Sequence, residues 1–113
     1  MRQQARAAAA VKKFEVVFRP AAEADLLALH RHIAEDAGLE IAGDYIGRIE
    51  EVCLSLETSP KRGTTRDDIR GGLRIMGFER RVTIVFQVGK AEVTIVRIFY
   101  GGQDYERALR ARR

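Results

Sequence analysis

Four arginines, Arg74, Arg80, Arg81 and Arg97, lie on or beside the strand-forming part of the chain, with Tyr100 and Tyr105 close by in sequence. Guanidinium groups stabilise charge developing on a transferring phosphoryl group, but they move no proton. A nuclease also needs an acid or base with a shifted pKa, and none is evident in the sequence. His30 and His32 are two residues apart, so on a helix they point about 200° from each other, which is wrong for joint metal ligation. Glu23, Asp25, Glu35 and Asp36 read as helix-surface acids, the first two near a helix start where the dipole favours negative charge. Gly71-Gly72 and Gly101-Gly102 fit neither the dinucleotide fingerprint nor the phosphate loop. The single cysteine, Cys53, excludes an internal disulfide and a thiolate-rich metal cluster, and its apolar surroundings at helical spacing mark it as core. No cofactor and no metal are expected.

The arginines depend for their positions on the stretch Leu73 to Tyr105. In Val82 to Val88 the even positions are all apolar and the odd ones mostly polar, the period of a half-buried strand. Val93 to Tyr100 is β-branched and aromatic along nearly its whole length. Gly89-Lys90 between them permits a type II′ turn with glycine first, so an antiparallel hairpin is expected, and a loop longer by a residue or two would change its register. Ahead of this hairpin, Leu73 to Met76 is a further strand, and Thr64 to Gly72 is turn-rich and charged. Arg62, Arg66, Arg70 and Arg74 recur there, and pairing with Asp67 and Asp68 would neutralise part of that cluster.

The N-terminal half supplies the cover. Phe14 to Phe18 is a short strand stopped by Arg19-Pro20, and Pro20 suits the first turn of a helix. From Ala21 to Asp36, the residues Ala22, Leu26, Leu29 and Ile33 share one face, and Ala37-Gly38 breaks the helix. A second helix from Leu39 to Thr58 carries Ile41, Tyr45, Ile49, Val52 and Leu56 as its predicted buried stripe. Gly43 and Gly47 share a face, where close packing against the first helix or the sheet is expected, with a dimer contact as the alternative. Gln103 to Arg113 is polar and reads as a short frayed helix.

The resulting order is β-α-α-β-β-β, an α+β fold of two layers in which a helical hairpin covers an antiparallel sheet. Leu26, Ile33, Ile49, Val52, Ile84 and Phe86 are expected in one core, with Thr83, Gln87 and Arg97 on the uncovered side. At 113 residues, 46% hydrophobic and 32% charged, the chain has the composition of one globular domain rather than a disordered segment. Residues 1–13 are expected to form a flexible, alanine-rich extension, and 14–113 a single domain. That extension lacks the apolar centre of a signal peptide, and no run is long enough to span a membrane, so a reducing cytoplasmic setting is expected. A net charge of +4 favours an acidic partner without identifying one.

Several segments resemble the toxins of the RelE/ParE superfamily of bacterial type II toxin–antitoxin systems. They are Phe14 to Ala22 leading into Asp25-Leu26, the Ser59-Pro60-Lys61-Arg62-Gly63 junction, Leu73-Arg74, and Arg80-Arg81 ahead of the hairpin. The close, Ile95 to Asp104, is most similar to the ParE branch. The resemblance implies a toxin that inhibits DNA gyrase without catalysis, is neutralised by a ParD-like antitoxin and forms a hetero-oligomer with it. Arg80, Arg81, Arg97, Tyr105 and Arg107 are the residues expected to bind the target. The alternative is the RelE-like activity, a ribosome-dependent mRNA endonuclease acting through Arg81, Arg97 and Tyr105. Against it, Thr83 stands where the superfamily's nucleases resemble one another in a strand arginine, and Gly102 where they carry a basic residue after the last strand.

Overall fold

A computed structural model describes residues 13–111, so the expected extension lies, but for Lys13, outside the described residues. The elements in chain order are β1 (Glu15–Phe18), α1 (Pro20–Ala37), α2 (Leu39–Leu54) running into a 3₁₀ turn (Ser55–Glu57), β2 (Thr64–Thr65), β3 (Leu73–Phe78), β4 (Val82–Val88), β5 (Glu92–Tyr100) and α3 (Tyr105–Ala111). They form a mixed α+β domain with a five-stranded sheet ordered β1-β5-β4-β3-β2.

Proline at its first position and extended backbone at Arg19 start α1, and Gly38 ends it at φ 100°, its N–H donating to the Ala34 carbonyl at 2.9 Å. Gly38 is also where α2 begins, so the two helices fold into a tight antiparallel pair. Ala22, Leu26 and Leu29 are buried on α1 as expected. On α2 the buried stripe is Ala42, Ile46, Ile49 and Cys53, and Ile41 is instead 55% exposed. Both stripes obey the helical period and share Ile49, so periodicity alone could not choose between them; Leu56 is buried as expected, in the 3₁₀ turn. Gly43 and Gly47 also differ from expectation: a Cβ added at either would meet nothing within 4 Å, so no backbone packs closely against them.

The sheet is antiparallel from β2 to β5, but β1 lies parallel to β5, pairing Glu15 with Glu92 and Phe18 with Ile95. A parallel neighbour needs a long connection rather than a turn, and the whole helical pair and three strands separate these two. The β4–β5 turn differs as well. Gly89 N–H donates to the Glu92 carbonyl at 2.8 Å, which makes Lys90-Ala91 the turn residues, and Gly89 is not left-handed as a type II′ turn requires. Instead the left-handed turn joins β3 to β4, with φ 49° at Glu79 and 61° at Arg80.

Between helices and sheet lies the larger apolar cluster, in which Leu26, Ile49, Ile84 and Phe86 are buried and Ile33 and Val52 pack at its margin. Cys53 belongs to it, and burial pushes its thiol up to about 12, which keeps it protonated and inert. The other face of the sheet carries a smaller cluster of Leu73, Val85, Val96, Phe99 and Leu109, covered by α3. Thr83 and Gln87 are half-buried on this side.

A bulge in β5 sorts residues between the faces. Val85 pairs with Arg97 and Phe86 with Ile95, leaving Val96 unmatched. Ile95 and Ile98 therefore both join the helix-side cluster, while Val96 and Phe99 join the α3 side.

Candidate functional site

Arg97 sits where β5 loses its neighbour. Pairing with β1 stops at Ile95, whose carbonyl accepts from Arg19 N–H at 2.9 Å, and α1 then runs along the open edge. Asp25 on α1 closes that edge: its carboxylate takes the Ile98 N–H at 2.8 Å and two bonds from the Arg97 guanidinium, at 2.7 and 3.0 Å. The pair is mostly shielded, with side chains 22% and 16% exposed, and the Asp25 hydrogen bonds raise the Arg97 pKa further. Arg97 also lies over the Phe99 ring at 4.6 Å. By sequence Asp25 reads as a surface acid, yet it stands one turn from Ala22 and from Leu29 on the buried stripe. A carboxylate at such a position signals a cationic partner across the interface.

A second charged group fastens α3. Arg66 binds the Asp68 carboxylate with two bonds of 2.9 and 2.8 Å, reaches Glu106 at 2.7 Å, and donates to the Tyr105 hydroxyl at 3.1 Å. Arg110 adds a bond of 2.9 Å to Asp68. Arg66 holds the Asp68 carboxyl well below the usual carboxylate range, chiefly through its hydrogen bonds, and is itself raised by them. The expected pairing of Asp68 with the local arginines is thus present, and Asp67 instead accepts the Gly72 N–H at 2.9 Å.

The third group is the β3–β4 tip. Its two left-handed residues are neither glycine nor asparagine, the types that favour this turn, so the tip is strained. Arg48 on α2 anchors it with two bonds of 3.1 Å to Glu79, and lies 5.3 Å from the centre of the Tyr45 ring. Arg80 and Arg81 are exposed there, and the Arg81 carbonyl accepts from Gly101 N–H at 2.8 Å, which ties the tip to the exit from β5. Beneath it, Ile33, Ile41, Tyr45, Glu79, Arg81 and Tyr100 line a recess. The Tyr45 hydroxyl is buried without a hydrogen-bond partner, and its pKa is raised by burial first and by Glu79 second.

Of the four arginines and one tyrosine expected to bind the target, Arg97 and Tyr105 both pack against the Phe99 ring, at 4.6 and 6.4 Å, while Arg80, Arg81 and Arg107 lie elsewhere. Arg80 and Arg81 share the tip; Arg97 is bound to Asp25 at the β5 edge; Tyr105 is engaged by Arg66; and Arg107 is exposed on α3, its N–H donating to Asp104 at 3.1 Å. Arg66, Asp25, Arg48 and Tyr45 hold these settings together. Of them, only Arg66 stands out in the sequence as part of a charged cluster.

A sheet flanked by a helical pair and a short terminal helix is the architecture this chain shares with chains of solved type II toxin–antitoxin systems, and the family comparison places it in that class. Within that class the chain belongs to the ParE toxin family, whose family model, the ParE toxin of type II toxin-antitoxin system parDE, matches residues 16–105. It is 31% identical over 77 residues to Toxin ParE3 of Caulobacter vibrioides, a match covering 68% of this chain and 76% of that protein. Its fold is similar to a chain of the chromosomal ParDE system from P. aeruginosa, with TM-score 0.69 and 27% identity over 79% of this chain and 97% of that one. It is also similar in fold to a chain of the RelBE2 toxin–antitoxin complex from Mycobacterium tuberculosis, with TM-score 0.57 and 17% identity over 81% and 95%.

Proposed function

We propose that this ParE-family toxin inhibits DNA gyrase without catalysing a reaction of its own, and that a ParD-like antitoxin neutralises it in the bacterial cytoplasm by forming a hetero-oligomer. The observation that carries this reading is that the side chains a nuclease would use are not gathered in one site. Arg97 is bound to Asp25 and Tyr105 to Arg66, while Arg81 stands apart at the tip. Arg80 and Arg81, displayed on an anchored turn, are suited instead to binding a partner surface, where arginine often supplies the dominant contacts.

An antitoxin partner is supported by two features. The similar P. aeruginosa chain comes from a ParDE system. On the helical pair, Leu27, Leu39, Ile41 and Leu54 are 61%, 73%, 55% and 50% exposed, an apolar surface that an amphipathic acidic segment would cover. The test is a DNA cleavage assay with purified gyrase and, in parallel, ribosomes programmed with mRNA. Accumulation of cleaved DNA with intact mRNA is expected. Codon-position cuts in the mRNA with gyrase unaffected would replace this reading with the nuclease one.

A further inference from the structure

On the α3 side of the sheet, the start of α1, the open edge of β5 and the loop before β3 enclose a recess of about 630 Å³. Three arginines line it, Arg19, Arg70 and Arg97, around Pro20-Ala21 and Val96. Only one of the three is matched by a carboxylate. Arg97 has Asp25, which binds its Nε and Nη2 and leaves Nη1 free to donate. Arg19 and Arg70 make no side-chain hydrogen bond or ion pair among the described residues, although Arg70 is half-buried. A half-buried guanidinium without a counter-charge favours an anion from outside the chain. The first turn of an 18-residue helix opens on the same recess and adds the positive end of its dipole. The volume lies in the range of small-ligand sites and exceeds what one carboxylate fills.

We propose that this recess is a phosphate-binding site that holds the backbone of duplex DNA, with Arg19 and Arg70 as the binding cations and Arg97 oriented by Asp25 to complete the cradle. Three guanidinium groups around one recess suit a phosphodiester, which offers several oxygens to planar donors. The net charge of +4 adds long-range attraction to a polyanion. The inference deepens the gyrase reading by placing the toxin on the DNA of its target, and it rests on that reading only for the source of the phosphate.

The test uses the purified chain alone, without gyrase, so that this inference and the proposed function can fail separately. Binding of a fluorescent DNA duplex is followed by anisotropy between about 50 and 200 mM salt, with inorganic pyrophosphate as competitor. Arg70→Gln and Arg19→Gln are each expected to weaken binding about tenfold and to lower the salt slope by about one, with unchanged circular dichroism. Arg19 is exposed, so its variant keeps the test valid if Arg70→Gln disturbs its loop. Arg31→Gln, which removes an exposed charge on α1 away from the recess, is expected to change binding much less. Equal losses in all three variants would reduce the effect to net charge and overturn the site. So would an absence of duplex binding by the unaltered chain, or competition by a polyglutamate peptide as strong as that by pyrophosphate.

Discussion

The two faces of the sheet are covered by helices held in different ways. On one face, α1 and α2 bury a continuous apolar cluster, and the mostly shielded Asp25–Arg97 pair seals the edge. On the other, the seven-residue α3 covers a smaller cluster and is fastened at the surface by Arg66, Asp68, Glu106 and Arg110. Apolar burial is lost only when the elements separate, whereas exposed ion pairs are open to protons and salt. Local opening costs least where the fewest buried apolar contacts must be broken. The helical pair is therefore the scaffold and α3 the separable element.

Adjacent residues on β4 probe the two faces. Ile84 points to the helical pair and Val85 to α3, and both are fully buried. Ile84→Asp is expected to unfold the domain, because an unpaired buried charge costs several kcal/mol against a total stability of about 5–15 kcal/mol. Loss of circular dichroism checks it; a soluble variant with unchanged melting would mean that Ile84 is not in a buried cluster. Next in size, Asp25→Ala removes the acceptor of Ile98 N–H and strands Arg97, at a cost of about 2–4 kcal/mol in chemical denaturation. Leu109→Ala empties the centre of the smaller cluster and is expected to cost about 2 kcal/mol, the low end for leucine because α3 can settle inward. Its signature is faster amide exchange in α3 with α1 still protected.

Readability from sequence divides along the same line. The helix-side architecture is legible because Ala22, Leu26 and Leu29 on α1 and the alternation through β4 repeat a period that only burial explains. What fails there is a choice between equivalent stripes on α2, where the exposed Ile41 and the buried Ala42 both fit helical spacing. The candidate site is less readable. Four arginines are conspicuous, but which of them is bound and which is displayed depends on the Val96 bulge and on the point where β1 stops pairing. Both are register events that leave no mark in residue type. The α3 fastening spans residues from Arg66 to Arg110, and such separations carry no local signal.

Two smaller effects sharpen the contrast. Tyr45→Phe removes a buried hydroxyl that has no partner, so the variant is expected to be about 1 kcal/mol more stable by thermal melting. The Asp68 carboxyl has its pKa lowered in the folded chain, so its contribution is present above the ordinary aspartate value of 3.8 and is lost as pH falls below that value towards the folded one. A pH titration of α3 protection should show this acid loss, and Asp68→Asn should remove most of it.

The most direct test of the difference between the faces is residue-resolved hydrogen exchange on Arg66→Gln at neutral pH. Arg66 contacts Glu106 and the Tyr105 hydroxyl on α3 and also holds the Asp68 carboxylate that Arg110 binds, so its loss removes two direct contacts to α3 and loosens a third. The expected result is several-fold faster exchange through Tyr105–Ala111 with protection in α1 and β4 unchanged. Unchanged exchange in α3, or equal loss of protection in α1 and β4, would contradict the account.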